Sequence, residues 1–158
     1  MGKVIDQVKK FFDDREWNYK YIDDQKVIRT MVDMRDELGT LKIVIFFKDE
    51  GYMVYGILNS KASESKRARV AEYLHRANYG LNIGNFEFDY DDGEVRYKVY
   101  TECNNNKLIN EDIIQSSIFI PIMMMDLYGK NLLKVMLNDD VSIEKAIEEV
   151  EEVEEVEE

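Results

Sequence analysis

The sequence predicts an α+β domain in which an antiparallel sheet of about five to six strands carries helices packed on one face. Three observations predict it. Blocks with apolar residues at helical spacing open, interrupt and close the chain. Between the first two blocks lie apolar runs whose linkers are too short for a parallel crossover, which needs about a dozen residues. The third is NFEFDYDDGEVRYKVY, residues 85–100, whose alternation around Asp92–Gly93 reads as a hairpin.

Residues 3–14 place Val4, Ile5, Val8, Phe11 and Phe12 at helical spacing between Lys and Asp, an amphipathic helix. WNYKYI alternates Trp17, Tyr19 and Tyr21 and suits a short strand. Val27 to Met34 alternates along a second strand. Leu41 to Phe47 is apolar on both faces except at Lys42, and Tyr52 to Leu58 is apolar on both faces with Gly56 the one small gap. Gly39 and Gly51 mark the turns between them. Residues 63–79 return to helical spacing: Ser63 can cap, Glu64 suits the positive end, and Ala68, Ala71, Leu74 and Ala77 make a narrow stripe. Gly80 can end that helix in a left-handed turn.

The acidic run DYDDGE invites a metal or a carboxylate site, and the hairpin explains it better. A two-residue Asp92–Gly93 turn would pair Asp89 with Arg96, Phe88 with Tyr97, Glu87 with Lys98 and Phe86 with Val99. One face is then apolar or aromatic, and the other joins opposite charges, each pair worth about 0.2–1 kcal/mol. A calcium loop of the helix–loop–helix type starting at Asp89 would need an oxygen ligand where Gly93 stands and Glu where Tyr100 stands.

From about Asn110 a long helix carries Ile113, Ile114, Ile118, Ile122, Met125, Leu132, Val135 and Met136 on one side, with Pro121 expected to kink it and Gly129 to weaken it. A last helix can start near Ser142. Its Ile147, Val150, Val153 and Val156 recur every three residues, a stripe that drifts by about 60° per step, so no face is expected to stay buried. The organisation expected is a folded α+β domain over residues 1–138 and an acidic Glu-rich tail, helical or disordered, over 139–158.

Net charge is −12, and the last eleven residues hold eight glutamates, which leaves −4 for the rest. Neither part has the basic footprint of a nucleic-acid binder or of a protein held to anionic membranes, so neither partner is expected. Cys103 and His75 are the only residues of their types, which excludes an intrachain disulfide and a Cys/His zinc site. The charged start MGKVIDQVKK does not read as a signal peptide, and Ile113 to Met125 is too short to span a bilayer, so the chain reads as cytoplasmic. No phosphate loop, nucleophile elbow or metalloprotease motif occurs. No catalytic residue, cofactor or metal is therefore expected; the alternative is a small carboxylate-based or divalent-metal-dependent enzyme around Asp89 to Asp92.

The order helix, four strands, helix, hairpin, long helix, with RVAEYLHRANYGLNIGNFEFDYDDGEVRYKVY at its centre, resembles the YbjN family. The matching features are the helix ending at Asn78, then Leu81, Gly84, Phe86, Asp92–Gly93 and Arg96–Tyr97, and the late helix with Ile113, Asp126, Tyr128 and Leu132. The resemblance covers roughly residues 3–137; SKASES lacks a proline before the second helix, and EEVEEV lies outside the pattern. It implies a type III secretion chaperone-like fold, often dimeric, in a family with members described as regulators of sensory transduction. The related secretion chaperones bind extended segments of client proteins. It brings no catalytic residues.

The strands apolar on both faces add a separate argument. With Ile43, Ile45 and Phe47 toward the helices, Val44, Phe46, Met53, Tyr55 and Ile57 are left on the open side. That side must be covered by the amino-terminal helix, paired in a homodimer, or offered to a partner. The function expected is a non-enzymatic protein-binding module, chaperone- or adaptor-like or a regulator of signal transduction, acting as a homodimer.

Overall fold

The computed structural model describes residues 2–157, with side chains described through Glu152. The order is α1 (Lys3–Asp14), β1 (Lys20–Ile22), β2 (Val27–Asp33), β3 (Thr40–Lys48), β4 (Gly51–Leu58), α2 (Arg67–Asn78), β5 (Asn85–Phe88), β6 (Val95–Glu102), α3 (Glu111–Leu137) and α4 (Ile143–Glu157). The six strands form one antiparallel sheet in the order β1-β2-β3-β4-β6-β5. Buried side chains of all four helices join one core with the inward residues of the strands, Ile28, Ile43, Ile45, Val54, Tyr97 and Val99 among them. The α+β architecture expected from the sequence, with helices on one face, is the architecture observed.

Helix α1 buries all five residues of its apolar stripe. The strand expected across WNYKYI is shorter, because only Lys20–Ile22 pairs with β2. Glu16 takes a left-handed turn (φ 54°), and Trp17 and Tyr19 serve as packed rings instead. Trp17 lies 5.7 Å from Phe119 and Tyr19 5.4 Å from Phe12, between ring centroids. In α2 the buried residues are Val70, Tyr73, Leu74 and Ala77, whereas Ala68 of the expected stripe is exposed. The larger side chains at i, i+3, i+4 and i+7 bury more apolar area than the alanines and set the inward face. Ser63 caps nothing with its side chain, since a 3-10 turn over Glu64–Lys66 precedes the helix.

Helix α3 runs unbroken for 27 residues through both Pro121 and Gly129. Each has a steric partner. A Cβ at Gly56 of β4 would lie 3.0 Å from Pro121 Cβ and 3.3 Å from Leu41 Cδ2, so the gap at Gly56 admits the proline ring. A Cβ at Gly129 would lie 2.6 Å from Leu38 Cδ2, so that glycine admits the leucine. Beside Pro121, Tyr52 Oη and Ser117 Oγ share a hydrogen bond of 2.9 Å, and Ser117 Oγ also donates to Ile114 O at 2.8 Å. Ile113, expected on the apolar side, is 47% exposed in the first turn, one residue ahead of buried Ile114.

Helix α4 follows Ser142, whose Oγ accepts from Lys145 N at 3.3 Å. Ile143, Ala146, Ile147 and Val150 are buried in the core, so the drifting stripe does find cover through Val150, against α2 and α3. One three-residue step turns the stripe by only about 60°, within the width of one apolar face. Asn131, buried in α3, donates to Ala146 O at 2.8 Å and ties the two helices. The Val153 and Val156 side chains lie outside those described.

Gly56→Val is expected to destabilise the chain by about 2–3 kcal/mol, because an isopropyl group would be added where Pro121 already closes the gap. Urea unfolding checks this. An unchanged midpoint would mean that α3 does not rest on β4 there.

Candidate protein-binding face

Strand alternation and cross-strand register lay the outer face of the sheet out in rows. One row runs Ile22, Val27, Phe46, Met53, Tyr100. The next runs Lys20, Arg29, Val44, Tyr55, Lys98, Asn85. The third runs Met31, Lys42, Ile57, Arg96, Glu87. The first row is wholly apolar or aromatic, and the other two hold apolar residues between cations, Val44 and Tyr55 between Arg29 and Lys98, and Ile57 between Lys42 and Arg96. Lys48 and Glu102 lie beyond the first row and Asp33 beyond the third.

All five residues expected on the open side therefore share this face. Val44 and Tyr55 are direct partners, as are Phe46 and Met53, and Ile57 pairs with Lys42. Phe46 is 38% exposed, Val44, Met53 and Ile57 are half-buried, and Tyr55 is 8% exposed. Tyr55 is covered from within its own face: Phe46 meets its ring edge-on at 5.8 Å, the Arg96 guanidinium lies 4.2 Å from its centroid, and its hydroxyl donates to Met53 Sδ at 3.4 Å. Val27 and Tyr55 are buried yet belong to no part of the helical core. Cover by the amino-terminal helix is not what occurs, since α1 packs in the core on the opposite face, with Lys9 Nζ 3.7 Å from the Tyr21 ring centroid.

The sequence reading put Arg96 and Lys98 on the charged face of the hairpin without joining them to this surface, and it missed the exposed Met31 and Tyr100 and the cations Lys20, Arg29, Lys42 and Lys48. Alternation within β2 and β6 carries the signal, but it becomes a face only once the register to β3 and β4 is known.

The hairpin forms in a register two residues from the one expected. Phe86 pairs with Tyr97 and Glu87 with Arg96, so Tyr90 to Gly93 form a four-residue loop. The two-residue turn would need positive φ at both Asp92 and Gly93, and only Gly93 has it, at 80°. Side chains favour the wider loop: Asp89 Oδ1 accepts from Asp91 N and Asp92 Oδ1 from Glu94 N, each at 2.9 Å. The faces are unchanged by a shift of two, and the charge pairing is not. Glu87 alone takes both cations, Arg96 Nε at 2.7 Å and Lys98 Nζ at 2.6 Å, and Asp89 is released to the loop. Burial alone would raise the Glu87 pKa, but the bonds from Lys98 and Arg96 outweigh it and hold the carboxyl below its usual range.

The carboxylates of Asp89 and Asp92 are thus occupied by turn geometry and, for Asp92, also by Lys61. Among the described residues no three His, Cys, Asp or Glu side chains are placed to hold one metal ion. His75 is exposed on α2. Cys103 is half-buried beside Asn105 Oδ1 at 3.5 Å, and burial pushes its thiol pKa up, away from the reactive thiolate. No helix among the described residues is long and apolar enough to cross a membrane.

The free edge of β5 is closed by Asn78, the last residue of α2. Its Oδ1 accepts from Phe86 N at 2.6 Å and its Nδ2 donates to Phe86 O at 3.0 Å, the two groups a further strand would use.

No family model matches the chain, and no curated protein matches it in sequence. Among solved structures it is similar to the crystal structure of YbjN from E. coli, a protein described as a candidate transcription regulator. The match covers 80% of this chain and 91% of that one, with a TM-score of 0.56 and 10% identity. The likeness is one of fold.

Two expectations follow from these contacts. Glu87→Gln should cost about 1–2 kcal/mol at neutral pH. Because the folded pKa is depressed, the stabilisation is complete above the unfolded pKa of about 4.3 and disappears as pH falls through the folded value. Melting curves of the two chains from neutral to acid pH should therefore converge, and a constant gap would contradict the pairing. Asn78→Ala should cost about 1–2 kcal/mol and speed exchange of the Phe86 amide, read by hydrogen exchange.

Proposed function

We propose that the chain is a non-enzymatic, YbjN-like protein-binding module, chaperone- or adaptor-like, whose open sheet face takes the partner. The observation that carries this reading is the set Val44, Phe46, Met53, Tyr55 and Ile57, gathered on a face that, among the described residues, no helix covers. Contiguous apolar surface on a soluble domain usually marks an interaction site. The description of YbjN as a candidate transcription regulator is compatible with a regulator that acts through protein contacts. In this reading residues 1–138 form the binding domain, and 139–158 form an acidic arm anchored to it through Ile147 and Val150. The family resemblance adds a homodimer, which light scattering tests separately as a mass of twice 18.7 kDa.

The direct test is suppression of aggregation. The wild-type chain at equal molar ratio should hold a heat-unfolded model protein in solution. Phe46→Asp combined with Ile57→Asp should lose most of that protection while melting within a few degrees of wild type, because both side chains already touch solvent. Equal protection by both chains, or none by either, would remove the reading.

A further inference from the structure

We infer that the segment this face takes is an acidic stretch of polypeptide carrying apolar side chains, presented by a partner protein. The inference rests on the protein-binding reading above and specifies its ligand. Its basis is a separation of charge that the net value conceals. Within the strands the outer face holds six of the chain's 21 Lys and Arg but only three of its 33 Asp and Glu, namely Asp33, Glu87 and Glu102. Asp89 and Glu94, paired just past β5 and β6, add two carboxylates at the hairpin end. The strand face is thus +3, and +1 with that end included, in a chain of −12.

Lys20, Arg29, Lys42 and Lys48 form no ion pair among the described residues, so their charge is unspent. Lys20, Arg29 and Lys48 flank the wholly apolar row that centres on Phe46 and Met53, and Lys42 stands one row further out, beside Ile57. A ligand that matches this layout sets apolar side chains on that row and carboxylates to either side. The apolar contacts supply most of the affinity, and the charges supply orientation and encounter rate.

Other occupants fit less well. A second copy related by a twofold axis would set the same unpaired cations, Lys20, Arg29, Lys42 and Lys48, against themselves. A nucleic acid, with a far denser negative charge than an acidic peptide, would be repelled more strongly by the −12 chain around the face. Strand addition at β5 is blocked by Asn78.

The test uses the full chain and three labelled probes in fluorescence anisotropy. These are a synthetic peptide alternating Glu and Leu, its Lys-for-Glu counterpart, and a single-stranded oligonucleotide of similar length. The acidic peptide should bind, the basic peptide should not, and raising salt from about 50 to about 500 mM should weaken binding about tenfold. Arg29→Glu with Lys42→Glu should weaken it at least about tenfold without moving the melting curve, and Lys130→Glu on the helical side should leave it unchanged. Tighter binding of the basic peptide or the oligonucleotide, or indifference to Arg29→Glu with Lys42→Glu, overturns the inference. So does a dimer that this double reversal dissociates, since a second copy would then own the face while the protein-binding reading stands. If no probe binds, the inference falls alone, and the aggregation assay with Phe46→Asp and Ile57→Asp still decides the broader reading.

Discussion

Pro121 resting on Gly56 is the contact on which the arrangement depends. It lets α3 lie close across the middle of the sheet, over β4 and β6, where any side chain at position 56 would lift the helix away. Once α3 is seated there, the other helices assemble around it on the same side. Leu38 enters the space left by Gly129. The Tyr73 hydroxyl donates to Tyr128 O at 2.8 Å and joins α2 to α3. Asn131 holds α4. All four helices contribute to this one core, and among the described residues no helix side chain is left for the outer face. Strands with apolar residues on both sides then present one set to the helices and the other to the surroundings.

The outer face is ordered rather than merely exposed. Phe46 and Arg96 shield the Tyr55 ring, and Glu87 holds Arg96 and Lys98 in place. The hydroxyl of Tyr100 donates to Glu50 O at 3.0 Å, which fixes its ring over Gly51. A face pre-arranged in this way would lose less side-chain entropy on docking the proposed partner, so more of the contact energy would appear as affinity. Asn78 closes the β5 edge to strand pairing, which would bind extended chains with little regard to their side chains.

Most of the fold was legible in the sequence because its signals are local. The α1 stripe, the two strands flanking Gly51, and the hairpin around Gly93 each declare themselves within a dozen residues. The five apolar residues of the open face were legible for the same reason, since β3 and β4 are adjacent and joined by a tight turn. What was not legible depended on contacts distant in the chain or on side-chain bonds to backbone. The hairpin register followed Asp89 and Asp92, whose carboxylates stabilise the longer loop against a two-residue turn of equal pattern. In α2 the alanine spacing was a false stripe, because Val70 and Tyr73 had more area to bury. Burial of Ile147 and Val150 required the α2–α3 surface that receives them. The cationic character of the open face was hidden most completely. Arg29 and Lys98 share a row only through β3 and β4, and the glutamate-rich carboxyl end dominates any count of charge.

Oxidative radical footprinting of the isolated chain, read at its own methionines by mass spectrometry, tests the central claim most directly. If the outer face is bare, Met31 and Met53 oxidise readily while Met125 and Met136 in the helical core are protected. Protection of Met53 equal to that of Met125 in a monomeric chain would mean that the face is covered from within, and the account would be wrong.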